Sequence, residues 1–312
     1  MRTLLLIVVS IFLVIPVKAQ DADFRIFYFK GTSEIYTAAR PKTPVVISAV
    51  GGALNKGDRV KLSAGAELVL IHKSGASVKL NVAKTYLVSE LLSSVNSNPD
   101  KSVVSAYLSY VWEELNSEHS DLDEYSRSHM RDKGVVNRGC RQPIMVNPPF
   151  GSAIDSGEIR FDWEPASSGR YEFVLYNTDD GGPELLKIYS EKVDLTISAS
   201  SFFLKPGSTY YWTVYPEGDP NCARFSFRVM PSDEQSQMEQ QLTELKAGLN
   251  LPEDMNQIVL ASFYEKYNLY DEAGACYLRA IALAPDNAGY SNMYALFLAR
   301  TGKTTEAKKY LK

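Results

Sequence analysis

The spacing of hydrophobic positions changes along the chain, and each change marks a segment. Between residues 20 and 97 the apolar positions come in short β-prone runs. These are Phe24, Ile26 and Tyr28, then Ile35, then Val45, Val46 and Ile47. In the next run Leu68, Leu70 and His72 fall on one face, Val69 and Ile71 on the other. Gly51-Gly52, Asn55-Lys56-Gly57-Asp58 and Lys73-Ser74-Gly75 supply turns, after which Val78, Leu80 and Val82 return. Short strands at this spacing predict a small all-β sheet or barrel.

Over 98–137 the period lengthens to that of a helical connector. Asn98, Pro99 and Asp100 suit a helix start. Val104, Tyr107, Leu108, Val111 and Leu115 then recur at helical spacing. That face must pack, and a neighbouring part of the same chain is preferred to a partner. From Ser117 to Arg138 the residues are polar and charged, and read as a solvated linker.

Strict alternation returns over 138–231. Ile159, Phe161 and Trp163 share one face of Glu158-Ile159-Arg160-Phe161-Asp162-Trp163, and Tyr171, Phe173 and Leu175 alternate next. Leu185 to Tyr189, then Leu195, Ile197, Phe225 and Phe227, continue the strands, which together predict a β-sandwich. Residues 232–312 read as helices. Met238, Leu242, Leu245 and Leu249 mark the first of them, closed by Pro252.

The N-terminus changes the compartment. Residues 1–19 carry Arg2, an apolar run of 12 residues from Leu4 to Ile15, and Val17-Lys18-Ala19 before Gln20. Small residues at those last positions fit signal-peptidase cleavage. The run is short for a membrane span, which needs roughly 20 residues, and an uncleaved anchor is the alternative. No stable membrane span is expected after cleavage. The mature protein is expected in the periplasm, with secretion as the alternative. Removing Arg2 and Lys18 moves the formal net charge from −4 to −6. That balance argues against a general nucleic-acid binder, which would show a basic face. With 45% hydrophobic and 22% charged residues, the composition is that of a globular protein and excludes wholesale disorder.

Two stretches resemble known β-families. Gly57-Asp58-Arg59-Val60-Lys61-Leu62-Ser63-Ala64-Gly65-Ala66-Glu67-Leu68-Val69-Leu70, followed by Ser74-Gly75-Ala76-Ser77-Val78-Lys79-Leu80, resembles the β-domain of FecR-type envelope proteins. Lys73-Ser74-Gly75 departs from the Asp-Gly turn usual there. The membrane span of FecR itself has no counterpart in this chain, so the resemblance implies a fold and an envelope setting, not iron signalling. Leu204-Lys205-Pro206-Gly207-Ser208-Thr209-Tyr210-Tyr211-Trp212-Thr213-Val214 resembles the corner of a fibronectin type III domain, an Ig-like fold. On that resemblance Tyr210 bonds back to backbone, and Trp163 and Trp212 face the core. Cys140 precedes its first strand and Cys222 its last, so a Cys140–Cys222 bridge is expected. Three buried thiols, with Cys276 the third, are the alternative.

A third resemblance lies at the C-terminus, where the chain matches itself at an offset of about 34 residues. Leu260-Ala261 matches Tyr294-Ala295, and Tyr270-Asp271-Glu272-Ala273 matches Thr304-Thr305-Glu306-Ala307. Tyr264, Ala273, Tyr277, Ala280 and Pro285 stand where tetratricopeptide repeats carry their signature residues. About three such units are usual, so the array is expected to lean on the preceding helix or on a partner.

Local catalytic motifs are absent. There is no G-x-S-x-G and no H-E-x-x-H, and the histidines are His72, His119 and His129. Thr301-Gly302-Lys303-Thr304 lacks the upstream glycine of a phosphate loop, with Phe297 in its place. His119, Asp121, Asp123, Glu124 and His129 cluster without the glycine of a calcium loop. No metal or cofactor is expected.

The sequence thus predicts an exported, multidomain, non-catalytic adaptor. Its parts are a FecR-like β-domain, a helical connector, a fibronectin-like sandwich and a tetratricopeptide-like tail that docks envelope proteins. Asn268 and Arg300, near helix ends, are not assigned contacts. One alternative is an envelope carbohydrate binder acting through Tyr211 and Tyr215 of the sandwich. Another is a hydrolase with a dispersed carboxylate pair.

Overall fold

Turn residues at the predicted breaks divide the first part into strands. The computed structural model describes residues 22–48, 50–97, 102–116, 121–132, 146–149, 151–154, 157–164, 169–177, 182–202, 204–218 and 224–311. Residues 1–19, expected from sequence to be a signal segment, and His119, Cys140 and Cys222 lie outside the described residues.

The strands are β1 (Phe24–Lys30), β2 (Ser33–Thr37), β3 (Arg40–Val46), β4 (Ala53–Leu54), β5 (Arg59–Leu62), β6 (Glu67–His72), β7 (Ser77–Leu80) and β8 (Thr85–Leu87), followed by α1 (Val88–Ser97). They form two antiparallel sheets, ordered β4-β1-β6-β7 and β3-β2-β5-β8. Phe24, Ile26, Leu54, Val60, Leu68 and Leu70 fill the core between them. The turn at Gly57-Asp58 is pinned by its own carboxylate. Asp58 Oδ1 accepts from Ala38 N and Oδ2 from Asn55 N, each at 2.8 Å. β6 is buried on both faces: Val69 and Ile71 point away from this core into a second one.

That second core is built by helices. α2 (Val103–Asn116) presents Val104, Tyr107, Leu108 and Val111 to it. The next segment differs from expectation. Leu122–Asp132, predicted as solvated linker, is a helix, α3. Asp121 caps it, its Oδ1 accepting from Asp123 N at 2.9 Å and Glu124 N at 3.0 Å. Leu122 and Ser126 are buried on a stripe too narrow for the hydrophobic pattern to register.

The central β-part comprises β9 (Val146–Asn147), β10 (Ser152–Ile154), β11 (Glu158–Trp163), β12 (Tyr171–Tyr176), β13 (Glu184–Ser190), β14 (Asp194–Ser198), β15 (Thr209–Pro216) and β16 (Phe225–Val229). One sheet has the order β10-β16-β15-β12-β13 and the other β14-β11-β9. Only β10 with β16 is a parallel pairing among the described strands of these sheets. The inward alternation places Phe161, Trp163, Phe173, Trp212 and Phe227 in their shared core. Phe161 meets Phe173, Trp212 and Phe227 edge-on at 4.9–5.8 Å between centroids. The Tyr210 hydroxyl accepts from Lys205 N at 2.7 Å, tying the strand to the turn before it.

The C-terminal part is helical: α4 (Ser232–Gly248), α5 (Glu253–Lys266), α6 (Tyr270–Leu283), α7 (Ala288–Arg300) and the short α8 (Thr304–Ala307). Fully buried Ala261, Ala273, Ala280 and Ala295 let the helices approach closely, and Tyr277 and Tyr290 fill the space between them. Pro285 follows the end of α6, where its missing N–H stops the helix.

These helices do not form a detached tail. One core joins Phe27, Val69 and Ile71 of the first sheets, Leu108 and Val111 of α2, Leu245 of α4, and Ile258, Tyr277 and Leu298 of α5–α7. α2 lies against α4, α5, α7 and β6, and α3 lies against α7 and α8.

Candidate functional site

Where α2 and α3 cross the C-terminal helices the packing is incomplete. A cavity of about 520 Å³ remains, lined by Tyr107, Tyr110, His129, Ser262, Lys266 and Tyr270, with Glu265 and Arg300 in its wall. Helical spacing explains the lining. Tyr107 and Tyr110 are three apart on α2, and Ser262, Glu265 and Lys266 follow the same spacing on α5.

Arg300, the last residue of α7, organises this wall. Its Nη2 donates to both carboxylate oxygens of Glu265, at 3.1 and 2.8 Å, and Nε donates to Oε2 at 3.2 Å. Its Nη1 donates to Glu114 Oε2 at 2.7 Å and to the Tyr125 hydroxyl at 2.9 Å. The guanidinium thus joins α7 to α5, α2 and α3. Burial alone would push it down, but Glu265 and Glu114 more than offset that and hold it well above its ordinary range. The Tyr277 hydroxyl completes the cluster, donating to Glu265 Oε1 at 2.6 Å.

The phenols around the cavity stay protonated. Burial, and then Glu265, push Tyr110 and Tyr277 upward, and the same causes raise Tyr270 to about 12. Burial also raises Tyr107. The two carboxylates that meet here, Glu114 and Glu265, both accept from Arg300. They hold helices together rather than standing apart as an acid and a base.

A second, shallower cleft of about 430 Å³ separates β9 and β11 from α6 and α7, and Asp162, Asp271, Leu278, Phe297 and Lys303 line it. Asn147 Nδ2 donates to Asp271 Oδ1 at 2.8 Å, and Lys303 Nζ to Asn147 Oδ1 at 3.3 Å. Burial raises Asp162, opposed by Lys303 and Arg160. Beside this cleft Asn268 turns the chain from α5 to α6 in the left-handed conformation, at φ +58°. Its carbonyl accepts from Ala153 N of β10 at 2.9 Å, and its side chain accepts from the Tyr270 hydroxyl at 2.6 Å. Asn268→Gly will therefore keep the turn, whereas Asn268→Ala will lose about 1–2 kcal/mol, read as a lower midpoint in urea unfolding.

The structure disperses the sequence-derived residues. Trp163, Tyr210 and Trp212 are buried in the core of the central sheets. Ala273, Tyr277 and Ala280 are buried between the C-terminal helices, with Tyr264 packed against that core. Cys276 is free and half-buried, its thiol pushed up to about 11 by burial. His72 is buried in a strand, Nδ1 2.8 Å from Ser74 Oγ. Asp121 caps α3, and Asp123 accepts from Lys308 Nζ at 2.7 Å. No group of metal-ligating residues occurs among the described residues. Arg300 and Asn268, left unassigned from sequence, are among the residues that join the parts. The available signal was an arginine on an otherwise apolar stretch, Met293-Tyr294-Ala295-Leu296-Phe297-Leu298-Ala299. No family model matches the chain, and no curated protein is significantly similar to it.

Proposed function

We propose that the protein is a non-catalytic scaffold of the cell envelope, exported to the periplasm, that binds other proteins. In this reading its parts are a FecR-like β-domain, a fibronectin type III-like sandwich and tetratricopeptide-like repeats. The observation that carries it is on α6. With α2 and α3 laid against α5 and α7, the large apolar residues of α6 left exposed are Leu278, 43% exposed, and Leu283, 51% exposed. Leu278 also borders the open cleft against β9 and β11. Partner docking in this reading uses that outer face, not the face already covered by the connector.

The test is a crosslinked pull-down of the mature protein from its native envelope. The double variant Leu278→Glu, Leu283→Glu is expected to lose a partner that the unaltered chain retains. Retention by the variant moves the interface elsewhere, and no protein partner for either chain overturns the reading. Truncation after Met230 is a poor substitute. Met230 belongs to the shared core, and removing α4–α8 would uncover Leu108 and Val111 of α2.

One observation favours the carbohydrate alternative. Tyr176, Tyr211 and Tyr215 lie on the outward face of β12 and β15, with Tyr189 beside them on β13. Arg224 stands 4.9 Å over Tyr176 and Arg170 5.1 Å over Tyr189, so both rings already carry cations. Tyr215 donates to Glu172 at 2.7 Å. Tyr211 is therefore the stacking surface this reading rests on, and glycan binding lost in Tyr211→Ala would favour it.

A further inference from the structure

We propose that the cavity between α2, α3 and the C-terminal helices binds a small organic anion with a flat apolar body, its charge held at the mouth by Lys266. The inference stands independently of the scaffold reading. Its first support is size: about 520 Å³ lies within the roughly 300–1,000 Å³ of small-molecule sites.

The second support is the state of the charges inside. Every nitrogen of Arg300 already donates to Glu265, Glu114 or Tyr125, and both oxygens of Glu265 accept from Arg300. A charged group pushed against this wall would have to break those bonds in a buried setting, where an unpaired charge is costly. What the cavity offers to the body of a ligand is the side chains of Tyr107, Tyr110 and Tyr270, with Ala106 at one edge. Such walls suit an aromatic ring, stacked or edge-on.

The third support is the mouth. Lys266, exposed at the end of α5, donates to the Tyr107 hydroxyl at 3.4 Å and stands 5.3 Å over the same ring. No carboxylate pairs with it among the described residues. An exposed ammonium with no carboxylate partner, beside a phenol-lined cavity whose buried charged groups are already engaged with one another, complements a carboxylate or sulfonate on an aromatic body. His129 lines the same opening, its Nδ1 3.1 Å from the Tyr125 carbonyl oxygen.

The test uses two fluorescent probes of similar shape on the full mature chain: anilinonaphthalene sulfonate, which is anionic, and phenylnaphthylamine, which is neutral. Both are expected to bind saturably to the folded protein. Lys266→Gln is expected to weaken the sulfonate by about tenfold and leave the neutral probe unchanged. Ala106→Trp, a substitution at an exposed position on the cavity edge, is expected to abolish both. Near-ultraviolet circular dichroism of each variant verifies that it is folded. Absence of saturable binding, or wild-type affinity in folded Ala106→Trp, overturns the site. Equal effects of Lys266→Gln on both probes, or none on the sulfonate, overturn its assignment to an anion.

Discussion

Replacing Arg300 with Met will lower the stability of the folded chain by about 3–5 kcal/mol. The side chain is 10% exposed and its partners Glu114 and Glu265 are 11% and 8% exposed. Removing the guanidinium leaves two carboxylates buried against apolar helices with their shared counter-ion gone. Arg300→Lys will recover only part of the loss, because an ammonium cannot make the forked contact to Glu265 while also reaching Glu114 and Tyr125. The double variant Arg300→Met, Glu265→Gln will be more stable than the sum of its single changes, since one of the stranded charges is then absent. Urea unfolding of the set measures this. Lys308→Ala is the control: its pair with Asp123 is exposed at 55% and 46%, and its loss will cost under about 1 kcal/mol. If Arg300→Met costs no more than the control, the cluster does not join the parts.

Gly75→Ala will be nearly as damaging. The glycine closes the β6–β7 hairpin at φ +83°, and an added Cβ would lie 2.0 Å from the Ser105 carbonyl oxygen and 2.3 Å from Ser109 Oγ, both on α2. The left-handed backbone costs an alanine about 1–2 kcal/mol, and forcing the hairpin off the helix adds about 1–3 kcal/mol. Gly65→Ala separates the two effects. Gly65 has φ +75° with nothing within 4 Å of its added Cβ, so it will show the backbone cost alone. Hydrogen exchange will also report faster opening of α2 in Gly75→Ala but not in Gly65→Ala. Equal losses in the two variants would show that hairpin and helix are not in contact.

Both experiments probe contacts that no local pattern announces. Lys73-Ser74-Gly75 was legible as a turn because Gly and Ser favour one, but nothing in it specifies Ser105 as its neighbour. Leu68 to Ile71 was legible as a strand with two apolar faces, and a strand apolar on both sides must be covered twice. The covering element, α2, had to come from elsewhere in the chain. α3 escaped the reading for a different reason. Its charged residues outnumber those given as buried among the described side chains, Leu122 and Ser126, and its stability rests on the Asp121 cap and on docking to α7. The candidate cavity was not legible at all. A void belongs to no residue, and its lining comes from helices whose lateral placement is set by packing around Tyr277, Phe263 and Leu108.

Period and turn chemistry are local quantities, and they were enough to order the segments. They gave strands over 24–82, a helix after Pro99, alternating strands from Glu158 to Phe227, and helices with paired small residues to the C-terminus. The number of apolar faces on each element could also be counted from the chain. Which face met which could not, because burial lowers free energy through area removed from water and is indifferent to the partner supplying the cover. Arg300 and Glu114 lie 186 residues apart. Their pairing exists only because α2 and α7 share one apolar core. The folded arrangement therefore decided that the connector covers the C-terminal helices, that a buried arginine joins them, and that a cavity remains where the tyrosines do not close.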